Sequence, residues 1–277
     1  MSLVLITGSN GFIGKYLIKR AVDAGHEVES LDTDYFGGSN WISNLVKELN
    51  RIKPKAIFHV GACSDTLEND VDLMMQRNYE STKVISNWCS STGCKMIFSS
   101  SAAAYGVEGK YPSNLYGWSK YVAEDYVCKS GGVSLRYFNV YGPGEEKKGK
   151  MASFLFQAYS SINSGGKVFL FPGKPTRDFV YIDDIASANL HAFENYDSLA
   201  GHFYDVGAGE SRSFEDVLTL ASIGYSYLDE DKIPKGYQFF TLSKTEKWMQ
   251  GWNPAYPLER GVSEYLNYLK YIEPLQS

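Results

Sequence analysis

The chain has 277 residues, of which 44% are apolar and 21% charged, and its formal net charge is -5. This length and composition suit one large α/β domain with a smaller lobe and argue against a disordered chain. The charge is spread without a basic block, which argues against a surface that follows nucleic-acid phosphates and favours a small-molecule partner.

The first residues read as a strand, Leu3-Val4-Leu5-Ile6, with no cationic segment before them and no apolar run long enough to cross a bilayer. We therefore expect a cytoplasmic protein with no membrane partner. The four cysteines form neither a CxxC pair nor a cluster with histidine, so the spacing of a zinc site or a disulfide framework is missing. Buried free thiols and no bound metal are the expectation.

Short β-rich apolar runs alternate with helical segments through the first half of the chain. In chain order they are LVLIT, FIGKYLIKRAVDAG, EVESLD, WISNLVKELNRI, KAIFHVGA, VDLMMQRNYESTKVISNWCSSTG, KMIFSS, LYGWSKYVAEDYVCKSG and VSLRYF. This alternation predicts right-handed βαβ crossovers and therefore an α/β fold, a doubly wound parallel sheet of the Rossmann type with helices on both faces.

The alternation loosens after Gly142-Pro143-Gly144 into MASFLFQAYSSINSGG, VFLFPG and short helices near 213–223 and 257–270. This change predicts a smaller C-terminal lobe. We expect residues 1–140 and 178–205 to form a dinucleotide-binding domain, and residues 141–177 and 206–277 to form a substrate-binding lobe.

The segment TGSNGFIG follows the first strand and begins a helix, which gives Gly8, Gly11 and Gly14 the setting of a phosphate-binding turn. Glycines let the backbone approach a pyrophosphate, and the helix N-terminus offers unpaired N–H groups to it. Asp32 closes the second strand 18 residues after Gly14, where a carboxylate can accept hydrogen bonds from ribose hydroxyls. We predict NAD as the cofactor, with NADP as the alternative.

Tyr116 and Lys120 in YGWSK lie four residues apart, so on a helix both side chains share one face. A nearby ammonium and an oxidised nicotinamide favour the ionised form of the phenol. A tyrosinate can accept the proton of a substrate hydroxyl while a hydride leaves the same carbon. Ser101, at the end of the preceding strand segment, is placed to hydrogen-bond the same oxygen.

The segments TGSNGFIG, SSSAAAYG, YGWSK, RYFNVYGP and RDFVYIDD occur in an order that resembles the extended short-chain dehydrogenase/reductase superfamily over nearly the whole chain. That superfamily contains nucleotide-sugar epimerases and dehydratases. The resemblance implies a tightly bound nicotinamide cofactor, a nucleotide-diphosphate sugar as substrate, and epimerisation by transient oxidation and re-reduction. The long helices predicted over 71–93 and 115–130 resemble those that form a dimer contact in the superfamily, which favours a homo-oligomer.

Three segments are most similar to the ADP-glycero-manno-heptose 6-epimerase family: GACS at 61–64, the run from FNVYGP to KGKMAS, and GYQFFT at 236–241. This likeness implies oxidation at the side-chain carbon C6″, rotation of the ketone and hydride return to its other face. Two acid-base groups are then needed, and Tyr116 matches the first. Lys148 matches the second, although as a member of EEKKGK it can equally be a solvated loop residue.

The same resemblance implies a set of binding residues. Besides the glycines and Asp32, the implied cofactor contacts are Phe12, Ile13, Gly61, Ala62, Cys63, Asn78, Tyr116 and Lys120. The implied substrate contacts are Asn139, Arg177, Tyr237, Gln157 and Phe171. An arginine suits a diphosphate because its planar fork donates two parallel hydrogen bonds. Each of three residues also has a purely structural alternative. Asn139 could stabilise a turn, Asn78 could lie on a helix surface, and Arg177 could form a surface pair with Asp178.

The chain departs from these families in four respects. No third strand is visible between Asp32 and KAIFHV, although a strand there usually ends in an aspartate that meets the adenine. Lys150 stands where the heptose family has a serine, and Gln157 where it has a histidine. No lysine or arginine follows Asp32 closely to hold a 2′-phosphate, although the heptose enzymes use NADP.

Three other functions remain to be weighed. A 4,6-dehydratase typically needs an Asp-Glu pair after the strand-end serine, and here those positions are Ala102 and Ala103, which disfavours dehydration. A UDP-hexose 4-epimerase shares the serine and YxxxK segments and needs only Tyr116. A non-catalytic dinucleotide sensor or scaffold would be expected to lose Tyr116 or Lys120, and both are present.

Overall fold

The computed structural model describes residues 1–32, 39–107, 109, 111–234 and 236–272. Its strands are β1 (Leu3–Thr7), β2 (Glu27–Leu31), β3 (Ala56–His59), β4 (Lys95–Ser101), β5 (Val133–Tyr137), β6 (Asn139–Tyr141), β7 (Val168–Leu170), β8 (Thr176–Arg177), β9 (Phe179–Tyr181), β10 (Phe203–Val206), β11 (Arg212–Ser213) and β12 (Tyr225–Tyr227). Six of them form a sheet in the order β10-β5-β4-β3-β1-β2, and all neighbouring strands in it are parallel. The predicted α/β fold is confirmed.

Helices connect the strands on both faces of this sheet. They are α1 (Phe12–Asp23), α2 (Trp41–Ile52), α3 (Val71–Met75), α4 (Ser81–Thr92), α5 (Leu115–Lys129), α6 (Phe154–Asn163), α7 (Ile182–Glu194), α8 (Tyr196–Leu199), α9 (Phe214–Ala221) and α10 (Leu258–Ile272). A π-helical turn, Gln76–Glu80, joins α3 to α4, and 3-10 turns cover Ala102–Tyr105 and Glu146–Met151. In the described ranges, no helix combines the length and the apolar character needed to cross a membrane.

Strands β1 and β3 of the sheet are buried on both faces because they are apolar at consecutive positions, whereas the edge strand β2 is partly exposed. Successive side chains of a strand point to opposite faces. Accordingly, Val4 and Ile6 of β1 join one core cluster with Leu17 of α1. Leu5, between them, joins a second cluster with Leu45 of α2. Fully burying each such aliphatic side chain contributes about 1.5–3 kcal/mol to the free energy of unfolding, so the two layers fix the helices that carry the site.

The strand order reverses between β1 and β3. From β1 the chain passes outward to β2 and then crosses back to β3 on the other side of β1. Ligands of such sheets bind at this switch point, beyond the carboxyl ends of the strands. In the described part of the chain β2 is the edge strand, and α2 leads directly to β3, which agrees with the missing third strand in the sequence. Residues 33–38 lie outside the described residues.

Three short strand pairs lie outside the large sheet. The parallel pairs are β6 with β9 and β7 with β12, and β8 pairs antiparallel with β11. The first pair brings Asn139 level with Phe179, and the last places Arg177 opposite Arg212. The predicted boundaries of the two lobes stay a prediction.

Candidate active site

The loop after β1 packs closely on the loop after β3. Gly8 has φ +67°, and a Cβ there would lie 2.5 Å from the Cα of Gly61. A Cβ at Gly14 would lie 2.1 Å from the carbonyl oxygen of Gly8. Only glycine fits such approaches, so these residues bring the start of α1 against the end of β1 and leave the N-terminus of α1 open to a ligand.

Asp32 follows β2 and faces the same loop. Its Oδ2 accepts hydrogen bonds from the backbone N–H of Asn10 at 2.6 Å and from the Ser9 hydroxyl at 3.3 Å. These bonds hold the carboxylate beside the glycine loop, which is the position predicted for a group that meets ribose hydroxyls.

A cavity of about 330 Å³ opens beyond the carboxyl ends of β1, β3 and β4. This volume lies in the range of small-molecule sites. Its lining contains most of the predicted cofactor residues and both predicted acid-base residues. The lining residues are Gly8, Gly11, Phe12, Ile13, Gly14, Asp32, Val60, Gly61, Ala62, Ser64, Arg77, Ser99, Ser100, Tyr116, Lys120, Tyr137 and Lys148.

Tyr116 lies in the first turn of α5, which begins because the Asn114 side chain accepts a hydrogen bond from the Gly117 N–H at 2.8 Å. Burial raises the pKa of the Tyr116 phenol, and a hydrogen bond with Ser101 opposes this rise. The predicted partnership of these two side chains is therefore present. Desolvation is the largest cause of this shift in the protein without cofactor. The ionised phenol expected beside Lys120 and an oxidised nicotinamide stays a prediction.

Lys120 is buried at 3% exposure one helical turn after Tyr116. Its Nζ donates a hydrogen bond to the Ser99 carbonyl oxygen at 2.7 Å and lies 4.8 Å from the centre of the Phe98 ring. Burial lowers the pKa of Lys120 to about 7, with a smaller opposing effect of Cys63. The ammonium therefore titrates near neutral pH within the cavity wall.

Lys148 reaches the cavity from the loop between β6 and α6. The side chain is half-buried, and Nζ lies 5.1 Å from the centre of the Phe12 ring. Burial lowers the pKa of Lys148, and the nearby Glu145 carboxylate opposes this shift. Lys148 lines the same cavity as Tyr116, which favours the acid-base interpretation over that of a solvated loop residue. Its role stays a prediction.

Asn78 and Cys63 support the cavity but do not line it. Asn78 is fully buried in the π-helical turn, and its side chain accepts from the Cys63 N–H at 2.7 Å and donates to the Cys63 carbonyl oxygen at 2.9 Å. It also donates to the Ser119 hydroxyl at 2.9 Å. Asn78 therefore ties the Gly61-Ala62-Cys63 loop to α5, and the surface position is wrong.

Arg177, Tyr237 and Phe171 form a separate cluster. The Phe171 and Tyr237 rings are 5.0 Å apart, and the Arg177 guanidinium carbon lies 5.4 Å from the centre of the Tyr237 ring. Arg177 is 8% exposed, donates to the Thr176 carbonyl oxygen at 2.9 Å, and has no carboxylate partner among the described residues. A surface pair with Asp178 is wrong, because the Asp178 carboxylate is buried and accepts from Ala208 and Ser243.

Asn139 and Gln157 lie outside the cavity lining. The Asn139 backbone N–H donates to the Asp178 carbonyl oxygen at 3.0 Å, and its exposed side chain accepts from the Thr241 hydroxyl at 3.3 Å. The Gln157 side-chain amide donates to the carbonyl oxygens of Lys150 at 3.2 Å and Ala152 at 2.7 Å. The amide of Gln157 is thus directed at the loop that carries Lys148.

A model of the NAD dependent epimerase/dehydratase family matches residues 4–207, about three quarters of the chain. The chain belongs to this family. The matched range contains the glycine loop, the tyrosine-lysine helix and the loop of Lys148. Membership confirms the predictions of an enzyme and of an NAD-dependent one.

Known relatives support the epimerase branch of the family. ADP-L-glycero-D-manno-heptose-6-epimerase of Brachyspira hyodysenteriae is 33% identical over an alignment of 314 residues that covers 97% of this chain and 98% of that protein. The crystal structure of ADP-L-glycero-D-manno-heptose-6-epimerase from Helicobacter pylori is similar at TM-score 0.82 and 28% identity, with 97% and 96% covered. UDP-glucose 4-epimerase of Thermotoga maritima, solved with UDP-glucose, shares the fold at TM-score 0.85 and 23% identity, with 98% and 99% covered.

The residues of the epimerase/dehydratase cavity fit a dinucleotide. The cradle at Gly8 and Gly14, which a Cβ would fill, lies against the start of the 12-residue helix α1, whose N-terminal N–H groups favour an anion. Asp32 stands at one end of this lining, and Tyr116 and Lys120 belong to it as well. This lining agrees with the sequence-based expectation of a pyrophosphate at the glycine loop, a ribose at Asp32 and a nicotinamide near the tyrosine and lysine, which stays a prediction.

Several lining residues have no counterpart in the sequence-based set, among them Ser64, Arg77, Ser99, Ser100 and Tyr137. Ser99 and Ser100 belong to the same SSSAAAY segment as Ser101, so the strand-end serine pattern could have identified them. Arg77 directly precedes Asn78, but one exposed arginine on a helical segment forms no pattern. Tyr137 is an aromatic residue in a strand, as is common in such strands, so the sequence does not mark it as a site residue.

A buried histidine beneath the cavity was also missed. His59 at the end of β3 shares hydrogen bonds with the hydroxyls of Thr7 at 2.7 Å and Thr82 at 3.0 Å. Burial, together with a smaller effect of the Lys120 charge, lowers the pKa of His59 to about 3. A neutral imidazole therefore bridges β1 and α4, and the Thr7 hydroxyl also accepts from the Gly61 N–H at 3.1 Å. In the sequence, His59 could have been noticed as a polar residue at the end of the otherwise apolar strand β3.

Proposed function

We propose that this enzyme is a nucleotide-sugar epimerase that acts on an ADP-glycero-manno-heptose and inverts its side-chain carbon C6″. The observation that carries the proposal is that Lys148 lines the same cavity as Tyr116 and Lys120. A ketone that turns between two faces needs a proton donor and acceptor for each face, and this cavity holds two such groups. The relatives named ADP-L-glycero-D-manno-heptose-6-epimerase support the choice of substrate.

The chain's own residues then divide the proton transfers. NAD held by the glycine loop and Asp32 would supply the oxidation of the alcohol carbon and the re-reduction of the ketone. Tyr116, hydrogen-bonded to Ser101, accepts the hydroxyl proton on one face of the sugar. Lys148, whose amine has a pKa lowered by burial, donates or accepts the proton on the other face. Lys120, anchored to Ser99, holds a cation beside the reacting groups.

We further propose that the Arg177 cluster binds the nucleotide part of the substrate. The guanidinium has no ion-pair partner in the described residues, and its pKa is lowered by burial, so an incoming diphosphate would relieve an uncompensated charge. The adjacent rings of Phe171 and Tyr237 provide apolar surface for the sugar or base.

A UDP-hexose 4-epimerase is the second candidate. The observation that favours it is that the Gln157 amide binds the backbone of the Lys148 loop and does not line the cavity, so the heptose family's histidine has no replacement there. A dehydratase has less support, because Asp32 is the only carboxylate lining the cavity in the described part of the chain.

The test is proton NMR of the purified enzyme with NAD or NADP and, in separate samples, ADP-glycero-manno-heptose, UDP-glucose and UDP-N-acetylglucosamine. Appearance of a second isomer of the heptose alone supports the proposal. Conversion of a UDP-hexose would instead make the enzyme a 4-epimerase. No conversion of any sugar, with NAD still bound, would support a non-catalytic sensor or an untested sugar.

NAD is our proposed cofactor because Asp32 faces the ribose site, and NADP is the alternative. The two-lobe division given above, cytoplasmic residence and a homo-oligomeric state are likewise proposals, and they rest on the sequence patterns.

A further inference from the structure

The loop from Gly142 to Ser153 carries Lys148 between β6 and α6. Its 3-10 turn is kinked at Gly149, which has φ +55° and ψ -126°. Lys147 and Lys150 on the same turn are exposed, whereas Lys148 is half-buried against the cavity. The shape of the loop therefore selects which of three lysines faces the site.

One buried carboxylate closes this loop. Glu145 is 0% exposed, and its Oε1 accepts from the Ser153 hydroxyl at 2.6 Å and from the Gly142 N–H at 3.3 Å. Its Oε2 accepts from the Ser153 N–H at 2.5 Å. The donors belong to the first and last residues of the loop, so Glu145 ties its two ends together. The backbone of Glu145 also accepts from the Lys148 N–H at 2.9 Å.

The pKa of Glu145 is raised overall, because burial outweighs the neighbouring groups that favour the ionised form. Ser153 caps the ten-residue helix α6, and its hydroxyl accepts from the Phe156 N–H at 3.4 Å. The carboxylate therefore sits at a helix N-terminus, where negative charge is favoured. Burial raises the Glu145 pKa, and the hydrogen bonds of Ser153 and the charge of Lys148 lower it. From α10, Tyr265 faces the same carboxylate, whose charge adds to burial in raising the Tyr265 pKa.

We propose that Glu145 is a positioning residue, whose carboxylate closes the Gly142–Ser153 loop and thereby sets the place of the Lys148 amine in the cavity. The inference rests on the proposed function, in which Lys148 is the second acid-base group. Both carboxylate oxygens accept from N–H or O–H donors, so an uncharged amide of the same size would turn an N–H toward a donor. The loop would then reopen although the side-chain volume is unchanged.

The first test compares Glu145→Gln with Glu146→Gln, the same change at the next residue. We expect Glu145→Gln to lower kcat by about 10- to 100-fold, since a displacement near 1 Å of a reacting group has this effect. Its affinity for NAD should stay that of the wild type, and Glu146→Gln should keep kcat within about twofold. Equal kcat in both variants would overturn the proposal.

A double-mutant cycle separates positioning from general weakening. If Glu145 acts through Lys148, Glu145→Gln causes no further loss of kcat in a Lys148→Ala background. Losses that multiply would overturn the proposal. Should Glu145→Gln fail to fold, Ser153→Ala removes one of the same bonds and must show the same epistasis, while Ser153→Thr, which keeps the hydroxyl, restores activity.

An activity-free measurement distinguishes this inference from the proposed function. Acylation of lysine amines, followed by peptide mass spectrometry, compares Lys148 with Lys147 and Lys150 in one sample. Rates measured over a pH series separate the accessibility of each amine from its pKa. On the high-pH plateau Lys148 should react more slowly than its neighbours in the wild type, and in Glu145→Gln its plateau rate should rise toward theirs. An unchanged rate overturns the positioning role. Full turnover of Lys148→Ala would instead remove the two-base function and leave the labelling result to decide the role of Glu145.

Discussion

Tyr116 and Lys120 share one face of α5 but are held differently. Tyr116 is bound to Ser101 through its hydroxyl, whereas the Lys120 amine donates to a backbone carbonyl of β4. Burial disfavours the charged form of each group, which raises one pKa and lowers the other. The pKa of Lys120 is thus brought toward neutral pH, whereas the pKa of Tyr116 moves further above it.

Replacing Tyr116 with phenylalanine removes the hydroxyl and keeps the ring. We expect Tyr116→Phe to retain NAD binding and to lose about 10²- to 10⁴-fold in kcat, the usual contribution of a general acid-base group. Steady-state kinetics and a binding titration check this, with Tyr121→Phe on the exposed side of α5 as the control. Wild-type turnover by Tyr116→Phe would contradict the assignment.

The buried Lys120 makes stability depend on pH. Its pKa is lowered from 10.5 to about 7, so the unfolded chain binds this proton more tightly than the folded one. The resulting cost is fully present below about pH 7 and disappears as the pH rises toward 10.5. Compared with Lys120→Met, the wild type should gain about 2 kcal/mol in free energy of unfolding between about pH 6 and 9. Urea titrations of the enzyme without cofactor that show a constant difference would contradict this.

The sequence identifies Tyr116, Lys120 and Ser101 because a fixed spacing on a helix and a strand end brings them together. It cannot decide Lys148, whose neighbours in EEKKGK carry similar charge, because the outcome depends on how Glu145 closes the loop. Asn78 shows the same limit. The sequence offers it as a cofactor contact, whereas in the structure it does not line the cavity. Its bonds to Cys63 and Ser119 depend on packing between distant segments.

At the scale of elements, the first βα unit depends on close backbone contact. The glycine loop brings α1 within contact of β1 and of the loop after β3, and both contacts lack room for a side chain. Gly11 is the N-cap of α1, and no side chain caps the helix, so this turn leaves the N-terminal N–H groups of α1 open. Anion binding and helix packing therefore rest on the same residues.

Gly14→Ala tests this unit. The added Cβ would meet the Gly8 carbonyl at 2.1 Å, so backbone must shift. We expect the free energy of unfolding to fall by about 1–3 kcal/mol and the stabilisation by saturating NAD to shrink. Thermal unfolding with and without NAD measures both effects, and Lys15→Ala, at the next and exposed position, serves as the control. An unchanged NAD-induced shift in Tm would argue against a pyrophosphate at this loop.

Helix α6 shows what periodicity leaves undetermined. Helix α6 begins at Phe154 within the segment MASFLFQAYSSINSGG, where the strand-helix alternation of the sequence loosens. The direction of Gln157, however, follows from the packing of α6 on the Lys148 loop, and its amide binds two carbonyl oxygens of that loop. Alignment with a histidine of related enzymes therefore gives its position and not its contacts.

The whole molecule combines a strand-order reversal with a separate arginine cluster. The cavity lies at the carboxyl ends of β1 and β3, where the strand order reverses. The residues around Arg177 belong to β8 and to the segment near Tyr237. The proposed division of labour places cofactor chemistry at the first site and recognition of the nucleotide at the second. Changes at Arg177 should thus affect the substrate and leave the cofactor alone.

Arg177→Met tests this division. Loss of hydrogen bonds to a charged diphosphate should raise KM about 10- to 100-fold, since each such bond contributes about 1.5–3 kcal/mol. NAD affinity should not change, because Arg177 does not line the cavity. Arg260→Met removes an exposed arginine and is the matched control. A wild-type KM for Arg177→Met would contradict the proposed nucleotide site.

The sheet order was largely predictable. Alternating apolar runs give the parallel sheet, and the short distance from Asp32 to KAIFHV already leaves no room for a further strand. The described residues agree, with β2 at the edge and β3 beside β1. The cluster of Arg177 with Phe171 and Tyr237 was predictable only through resemblance, because three short segments distant in sequence meet there.

The central claim is that the sugar is oxidised and then re-reduced by hydride return within one active site. Proton NMR of the reaction in deuterium oxide tests this most directly. The account predicts that the product keeps its original hydrogen at the inverted carbon, because the hydride that leaves is the one that returns. Deuterium at that carbon in the product would show inversion by proton exchange with solvent and would contradict the account.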